Sequence, residues 1–137
     1  MKKRQVVITG AGACGLMAAI MAARNGAAVT VLEQNEKPGK KICATGNGRC
    51  NFSNLARPDD AYRGEHPEFV EDALREFSVQ NTIEFFKEIG IYPLNRNGYL
   101  YPRSNQAQSV VDVLCMEAAS LGVKIKTNEQ VTEIKTG

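Results

Sequence analysis

A glycine pattern near the N-terminus constrains the fold more than any other feature of the chain. Gly10-Ala11-Gly12-Ala13-Cys14-Gly15 follows the β-branched run Val6-Val7-Ile8-Thr9. It opens a stretch from Leu16 to Asn25 that places Leu16, Ala19, Ile20 and Ala23 on one helical face, with Gly26 as the stop. Ala28-Val29-Thr30-Val31-Leu32 is a second apolar run, closed by Glu33. Strand, crossover helix and strand within about thirty residues make a βαβ unit, which requires a parallel sheet. The first strand reads as buried on both faces, because its apolar residues do not alternate with polar ones. The fold class is α/β, a three-layer Rossmann-like dinucleotide-binding domain.

Each part of the pattern has a physical role. Gly10 permits the tight turn out of the strand. Gly12 lets a pyrophosphate approach the backbone. Gly15 lets the helix pack closely on the sheet. Free N–H groups and the positive dipole end of the helix then face the phosphates. Glu33 ends the second strand, where its carboxylate can accept hydrogen bonds from an adenosine ribose and would repel a 2′-phosphate. A P-loop is excluded, since Leu16 stands where the Walker lysine would follow the last glycine. A protein kinase is excluded because its glycine loop joins antiparallel strands and opens no helix.

The rest of the chain divides into three stretches. Residues 1–55 hold the βαβ unit and a long loop, 56–103 a helical and hairpin insertion, and 104–137 a helix with following strands. Residues 34–65 lack a regular period and are rich in Gly, Asn, Lys and Arg; a gap that long points to function. Pro67 to Phe77 reads as a helix with Phe69, Ala73 and Phe77 on a core side. A second helix runs from a Ser78 cap to Gly90, with Ile83, Phe86 and Ile89 in the core. Asn97-Gly98 marks a hairpin between Ile91–Leu94 and Tyr99–Tyr101. Ser104 or Asn105 caps a helix over Gln106–Leu121. Val123–Lys126 is a third strand and Val131–Ile134 a fourth.

Composition narrows the function classes. The 137 residues are 43% hydrophobic and 23% charged, an ordinary globular balance. With 17 Lys+Arg against 15 Asp+Glu there is no basic excess, so neither nucleic acid nor an anionic membrane is expected as a partner. Lys2-Lys3-Arg4 resembles a signal-peptide start, but the apolar residues after it are too few, and no stretch approaches the ~20 needed to span a bilayer. Cytoplasm is the expected compartment. Cys14, Cys43, Cys50 and Cys115 follow no secreted-scaffold or zinc spacing and read as reduced thiols. No metal site is expected. His66, the one histidine, reads as a helix-entry residue.

The run Pro38 to Asn54 distinguishes between cofactors. Its glycines let backbone pass close to a ligand, and Lys40, Lys41 and Arg49 can neutralise phosphate. That favours an extended cofactor over a bare nicotinamide site, with a solvated basic loop as the other reading.

Gly10-Ala11-Gly12-Ala13-Cys14-Gly15, Glu33, Gly39-Lys40-Lys41 and Thr45-Gly46-Asn47-Gly48-Arg49-Cys50-Asn51 resemble the BaiN/YhiN-like family of bacterial FAD-dependent oxidoreductases, which includes aminoacetone oxidase-like flavoproteins. Gly98-Tyr99-Leu100-Tyr101-Pro102, with Ser104, Ala107, Val110, Val111 and Asp112, matches a second family segment. The chain departs at Cys14, where alanine is usual, at Asn47, where glycine is usual, and at Tyr99 and Tyr101. The resemblance implies a flavoprotein of roughly three times this length. It puts Gly10, Gly12, Ala13, Cys14 and Gly15 on the FAD pyrophosphate, and Glu33 on the ribose with Gln34 beside it. Lys40, Lys41 and the turn Asn47, Gly48, Arg49, Cys50, Asn51 would lie near the phosphates and toward the flavin ring. Val131 would touch the adenine through its backbone. NADH or NADPH is implied as electron donor and an unsaturated ketone, such as a bile-acid enone, as the small-molecule substrate.

By that reading the chain is an N-terminal portion, incomplete as a domain and lacking a substrate domain, and is expected to bind FAD poorly alone. No side chain is assigned as catalytic acid or base. Tyr99, Tyr101 and Arg103 read as hairpin core and surface charge before active-site rim. Three alternatives stay open: a pyridine-nucleotide disulfide reductase using Cys43 and Cys50, a non-catalytic nucleotide-binding module, and an RNA-modifying flavoprotein, which would need a basic face.

Overall fold

The computed structural model describes residues 3–56 and 61–136. In chain order it contains β1 (Gln5–Thr9), α1 (Ala13–Arg24), β2 (Ala28–Leu32), α2 (Lys40–Ala44), β3 (Ser53–Asn54), α3 (Phe69–Glu76), α4 (Val79–Glu88), β4 (Pro93–Arg96), β5 (Tyr99–Pro102), α5 (Ala107–Ser120) and β6 (Lys124–Lys126). β1, β2 and β6 form a parallel sheet in the order β1-β2-β6, with Gln5 opposite Ala28 and Thr30 opposite Lys124. A separate antiparallel sheet, β3-β5-β4, carries the hairpin. α1 and α5 pack on each other and on one face of the parallel sheet. Leu16, Ala19 and Ile20 of α1, Val29 and Val31 of β2, and Val110, Val111, Leu114 and Ala118 of α5 make the core.

The βαβ unit, the parallel sheet and the hairpin stand as the sequence predicts. Asn97 (φ +52) and Gly98 (φ +91) are both left-handed, as a two-residue hairpin turn requires. Ser78 caps α4 through a reciprocal box with Asn81. Arg24, at the end of α1, ties three helices together. Its guanidinium donates to Glu117 of α5 (2.7 and 3.1 Å) and Glu88 of α4 (3.2 Å), and lies over the Phe85 ring.

Four expectations are corrected. β1 is not buried on both faces: Val6 and Ile8 turn toward α1, whereas Val7 is 64% exposed, because the described residues put helices on one face only. Phe69 is not core but 85% exposed, Phe77 sits at 37%, and α3 has no buried residue. No strand forms over Val131–Ile134. Asn128 and Glu129 donate to the carbonyls of Asn35 and Glu33, and beyond them no ladder bond follows, with Ile134 78% exposed. Neither Ser104 nor Asn105 caps α5. Asn105 is left-handed and turns the chain first, so Gln106 takes the N-cap position. Lys2 of the basic start lies outside the described residues. No helix among the described residues is long and apolar enough to cross a membrane.

Candidate functional site

The site begins where β1 turns into α1. The Gly10 N–H donates to the Leu32 carbonyl (2.7 Å), which holds the loop to the end of β2. Gly10 has φ +90, a conformation glycine adopts without penalty. α1 starts at Ala13, earlier than the apolar periodicity alone indicates, so its first turn lies inside the glycine loop. The glycines divide their work as expected from their spacing. A Cβ on Gly15 would lie 1.8 Å from the Gly10 carbonyl oxygen, so α1 can approach β1 only without one. A Cβ on Gly12 would meet nothing within 4 Å, because that α-carbon faces open space.

Glu33 is the one buried charged residue of the described core, at 6% exposure. Its Oε1 accepts from the backbone N–H (2.8 Å) and the side-chain amide (2.6 Å) of Asn35. Its Oε2 accepts from the Ala11 N–H (2.7 Å). The Asn35 backbone N–H foremost, with Ala11 and the Asn35 amide, holds the carboxyl below the ordinary glutamate range, against the opposing effect of burial. A carboxylate offers about four acceptor positions. Asn35 takes two of them and Ala11 one, and the Gln34 backbone N–H is directed at the same carboxyl. Asn35 is a partner of Glu33 that the sequence reading missed.

A cavity of about 730 Å³ runs from this loop under α2 toward α4 and α5. Gly10, Gly12, Ala13, Cys14, Gly15, Lys41, Cys50 and Asn51 all line it, so the structure brings most of the sequence-derived site residues together. Its far wall is apolar, built from Phe52, Phe77, Phe86 and Leu114. Phe86 therefore serves the cavity as well as the core, a role that helical spacing cannot distinguish from packing.

The other site residues fall elsewhere. Lys40 lines a second cavity of about 690 Å³, with Asn35, Lys37, Gln108 and Asp112, and not the one that Lys41 lines. Glu33 joins the glycine loop through Ala11, and Gln34 beside it is exposed. Val131 makes no described hydrogen bond and lies two residues beyond Glu129, whose N–H donates to the Glu33 carbonyl (2.9 Å).

The turn after α2 is left-handed at Gly46 (φ +54), Asn47 (φ +52), Gly48 (φ +77) and Cys50 (φ +59). Asn47 adopts this conformation, which asparagine tolerates. Gly46 is needed: a Cβ there would lie 2.9 Å from the Asn51 nitrogen and 3.2 Å from Cε1 of Tyr101. Asn51 donates through Nδ2 to the carbonyls of Ser53 (2.9 Å) and Leu100 (3.0 Å), fastening the turn to the hairpin sheet. Arg49 turns away from the cavity onto the Tyr101 ring. All four cysteines are free thiols, and burial pushes the Cys50 thiol up.

Residues 4–137 match the family model described as the HI0933-like protein Rossmann domain. Over 133 residues the chain is 48% identical to a 3-dehydro-bile acid delta(4,6)-reductase of Clostridium scindens, covering 96% of this chain and 32% of that protein. It is 32% identical over 135 residues to a ribosomal RNA dihydrouridine synthase of Escherichia coli, covering 98% and 34%. A protein of the same description from Haemophilus influenzae is 35% identical, covering 94% and 32%. The chain thus spans about a third of the length of these relatives. Among solved structures, a 3-ketosteroid-delta4-(5alpha)-dehydrogenase from Rhodococcus jostii superposes with a TM-score of 0.64 at 18% identity, over 93% of this chain and 38% of that one. Thermovibrio ammonificans THI4 superposes at 0.61 and 17% identity, over 91% and 38%. These two share the fold. The family model and the sequence relatives go further, and the chain belongs to the HI0933-like Rossmann domain family.

Proposed function

We propose that the chain is the FAD-binding part of an NAD(P)H-dependent oxidoreductase that reduces an electron-poor carbon–carbon double bond in a small apolar substrate, of the unsaturated-ketone class. The observation that carries this reading is the 48% identity to a bile-acid delta(4,6)-reductase. The glycine loop supports the cofactor. Open space at Gly12 suits a diphosphate, the first turn of α1 offers it N–H groups, and Lys41 brings a cation to the same cavity. Glu33, at the end of β2 and joined to the glycine loop through Ala11, suits a ribose hydroxyl. FAD, when bound, supplies the ring that takes and gives hydride. The residues of this chain bind and orient it, while Phe52, Phe77 and Phe86 keep water from the apolar wall. Gln34, Lys40, Asn47, Gly48 and Val131 belong to this reading as outer contacts of the cofactor, whereas Arg49, expected with them, lies over Tyr101 and outside the cavity.

A second reading rests on the two dihydrouridine synthases at 32% and 35% identity. The uracil double bond is also conjugated to a carbonyl, so the chemistry is the same and only the substrate differs. The near-balanced charge of +2 favours the small molecule over RNA.

The test is the visible spectrum of the purified full-length gene product, followed by identification of the released cofactor by mass. NADH and NADPH oxidation is then measured with a 3-oxo-Δ4 bile acid and with uridine-containing ribosomal RNA. A flavin spectrum, released FAD and turnover of the enone are expected. A colourless protein that cannot be reconstituted with FAD would overturn the cofactor. Turnover of RNA alone would replace the first substrate class by the second.

A further inference from the structure

The outer side of the 45–51 turn carries a cationic feature that the glycine loop does not use. Two guanidinium groups converge on one ring: Arg49 lies 5.6 Å and Arg96 5.8 Å from the Tyr101 centroid. β4 and β5 pair with Leu94 opposite Tyr101 and Arg96 opposite Tyr99, so Arg96 reaches Tyr101 diagonally on one face of the hairpin sheet. Tyr101 is fixed from behind by the close approach of Gly46, and Arg49 is fixed by a bond from its Nε to the Gly46 carbonyl (3.2 Å).

Two like charges gathered on one ring are ordinarily offset by a nearby carboxylate. Among the described residues neither arginine pairs with one; the ion pairs there belong to Arg24, His66, Arg75 and Lys135. The ring supplies only part of the compensation. Beyond the Arg49 Nε bond, the N–H groups of both guanidiniums form no hydrogen bond among the described residues. A guanidinium's planar donor fork matches the geometry of an oxyanion, and this ring carries two of them.

We propose that Arg49 and Arg96, gathered on Tyr101, form a recognition site for an oxyanion carried by a small molecule bound at the 45–51 turn. This rests on the reductase reading and adds what the bound molecule carries. Cys50 and Asn51 face the apolar cavity while Arg49, one residue earlier, faces outward. With the cofactor in the cavity, a small molecule reaching the turn from its outer side would bring its acid group to the arginines. The oxyanion has two sources, the carboxylate of an apolar acid substrate or the 2′-phosphate of NADPH.

The experiment uses the FAD-loaded full-length gene product as wild type, Arg96→Gln and Arg96→Lys. Arg96 is exposed, and an unchanged flavin spectrum and melting temperature check the fold. Substrates are a 3-oxo-Δ4 bile acid and its methyl ester, each with NADH and NADPH. Loss of a charged hydrogen-bonding partner predicts a KM for the acid raised about tenfold or more in Arg96→Gln, with kcat and the ester unchanged and Arg96→Lys between. A KM raised for NADPH and not for NADH assigns the site to the donor's phosphate instead. Equal losses on acid and ester with both donors, or no change anywhere, would overturn the proposal, as would a loss confined to an RNA substrate. If the wild type reduces no enone, the reductase reading fails separately. Calorimetric binding of cholate against its methyl ester then still decides: preference for the acid that Arg96→Gln abolishes supports the site, and equal binding overturns it.

Discussion

Alanine at Gly15 and at Gly12 should do opposite things, although the two residues stand in one loop. At Gly15 the new Cβ would sit 1.8 Å from the Gly10 carbonyl oxygen, 3.0 Å from its carbon and 3.5 Å from Ile8 Cγ2. Ordinary contact needs about 3.5 Å, so α1 must lift from β1 by more than about 1.5 Å at its first turn. That disturbs Leu16 and Ala19, both fully buried. Overpacking against backbone costs about 3 kcal/mol, or a fall of about 10 °C in Tm. Gly12 is different. Its φ of −85° and ψ of −168° are open to alanine, and its Cβ would meet nothing within 4 Å. As an N-cap substitution it costs under about 1 kcal/mol. A diphosphate approaching that α-carbon would meet the new methyl, raising the FAD Kd about tenfold or more, which is about 1.4 kcal/mol. Urea unfolding followed by circular dichroism, and flavin-fluorescence titration, measure both on one preparation. The reasoning fails if Gly12→Ala unfolds as readily as Gly15→Ala, or if it binds FAD like the wild type.

Glu33→Gln replaces an acceptor-only carboxylate with a group that must present N–H toward Ala11 or Asn35, a cost of about 2 kcal/mol in urea unfolding. Because the Glu33 carboxyl is held low, its contribution is full above the unfolded value of about 4.3 and is lost as pH falls through the folded one. The wild type should therefore lose stability below about pH 4.3 more steeply than Glu33→Gln does. Arg24→Ala removes the bonds to Glu117 and Glu88 at a partly exposed site, and should cost about 1 kcal/mol, less at high salt. Thiol labelling should reach exposed Cys14 first and buried Cys50 last, and FAD should protect Cys14. Labelling after mild reduction should gain no thiol; a gain of two would restore the disulfide-reductase alternative.

The elements that local chemistry dictates were legible in the sequence. Gly10 to Gly15, β2 with Glu33, the Ser78 cap and the Asn97-Gly98 turn are set by conformation, capping and alternation within a few residues. What depended on distant neighbours was not. Val7 has the side chain of a buried strand residue, and only the placement of helices on one face of the sheet leaves it exposed. Phe69 has the spacing of a core residue on a helix that packs on little else. Lys40 and Lys41 are adjacent in sequence and look like one cationic pair, yet a helix sends them into different cavities. The Arg96–Tyr101 contact depends on strand register and has no signature along the chain.

The left-handed turn after α2 explains why one short segment can serve two surfaces. In a strand, successive side chains alternate across a sheet; in a helix they sweep round it. Neither geometry puts Arg49 on one side of a wall and Cys50 and Asn51 on the other while the chain also reverses direction. Positive φ at Gly46, Asn47, Gly48 and Cys50 does. Glycine meets the requirement freely at two of these positions and asparagine tolerates it, but at Cys50 the left-handed backbone costs about 1 kcal/mol. That cost is offset by bonds that exist only in this conformation: the Cys50 N–H to the Thr45 carbonyl (3.1 Å), and the Asn51 amide to Ser53 and Leu100. The same bonds make the hairpin sheet the floor of the turn. A change at Tyr101, outside the cavity, would therefore move Cys50 and Asn51 within it, through Gly46 and the backbone between them.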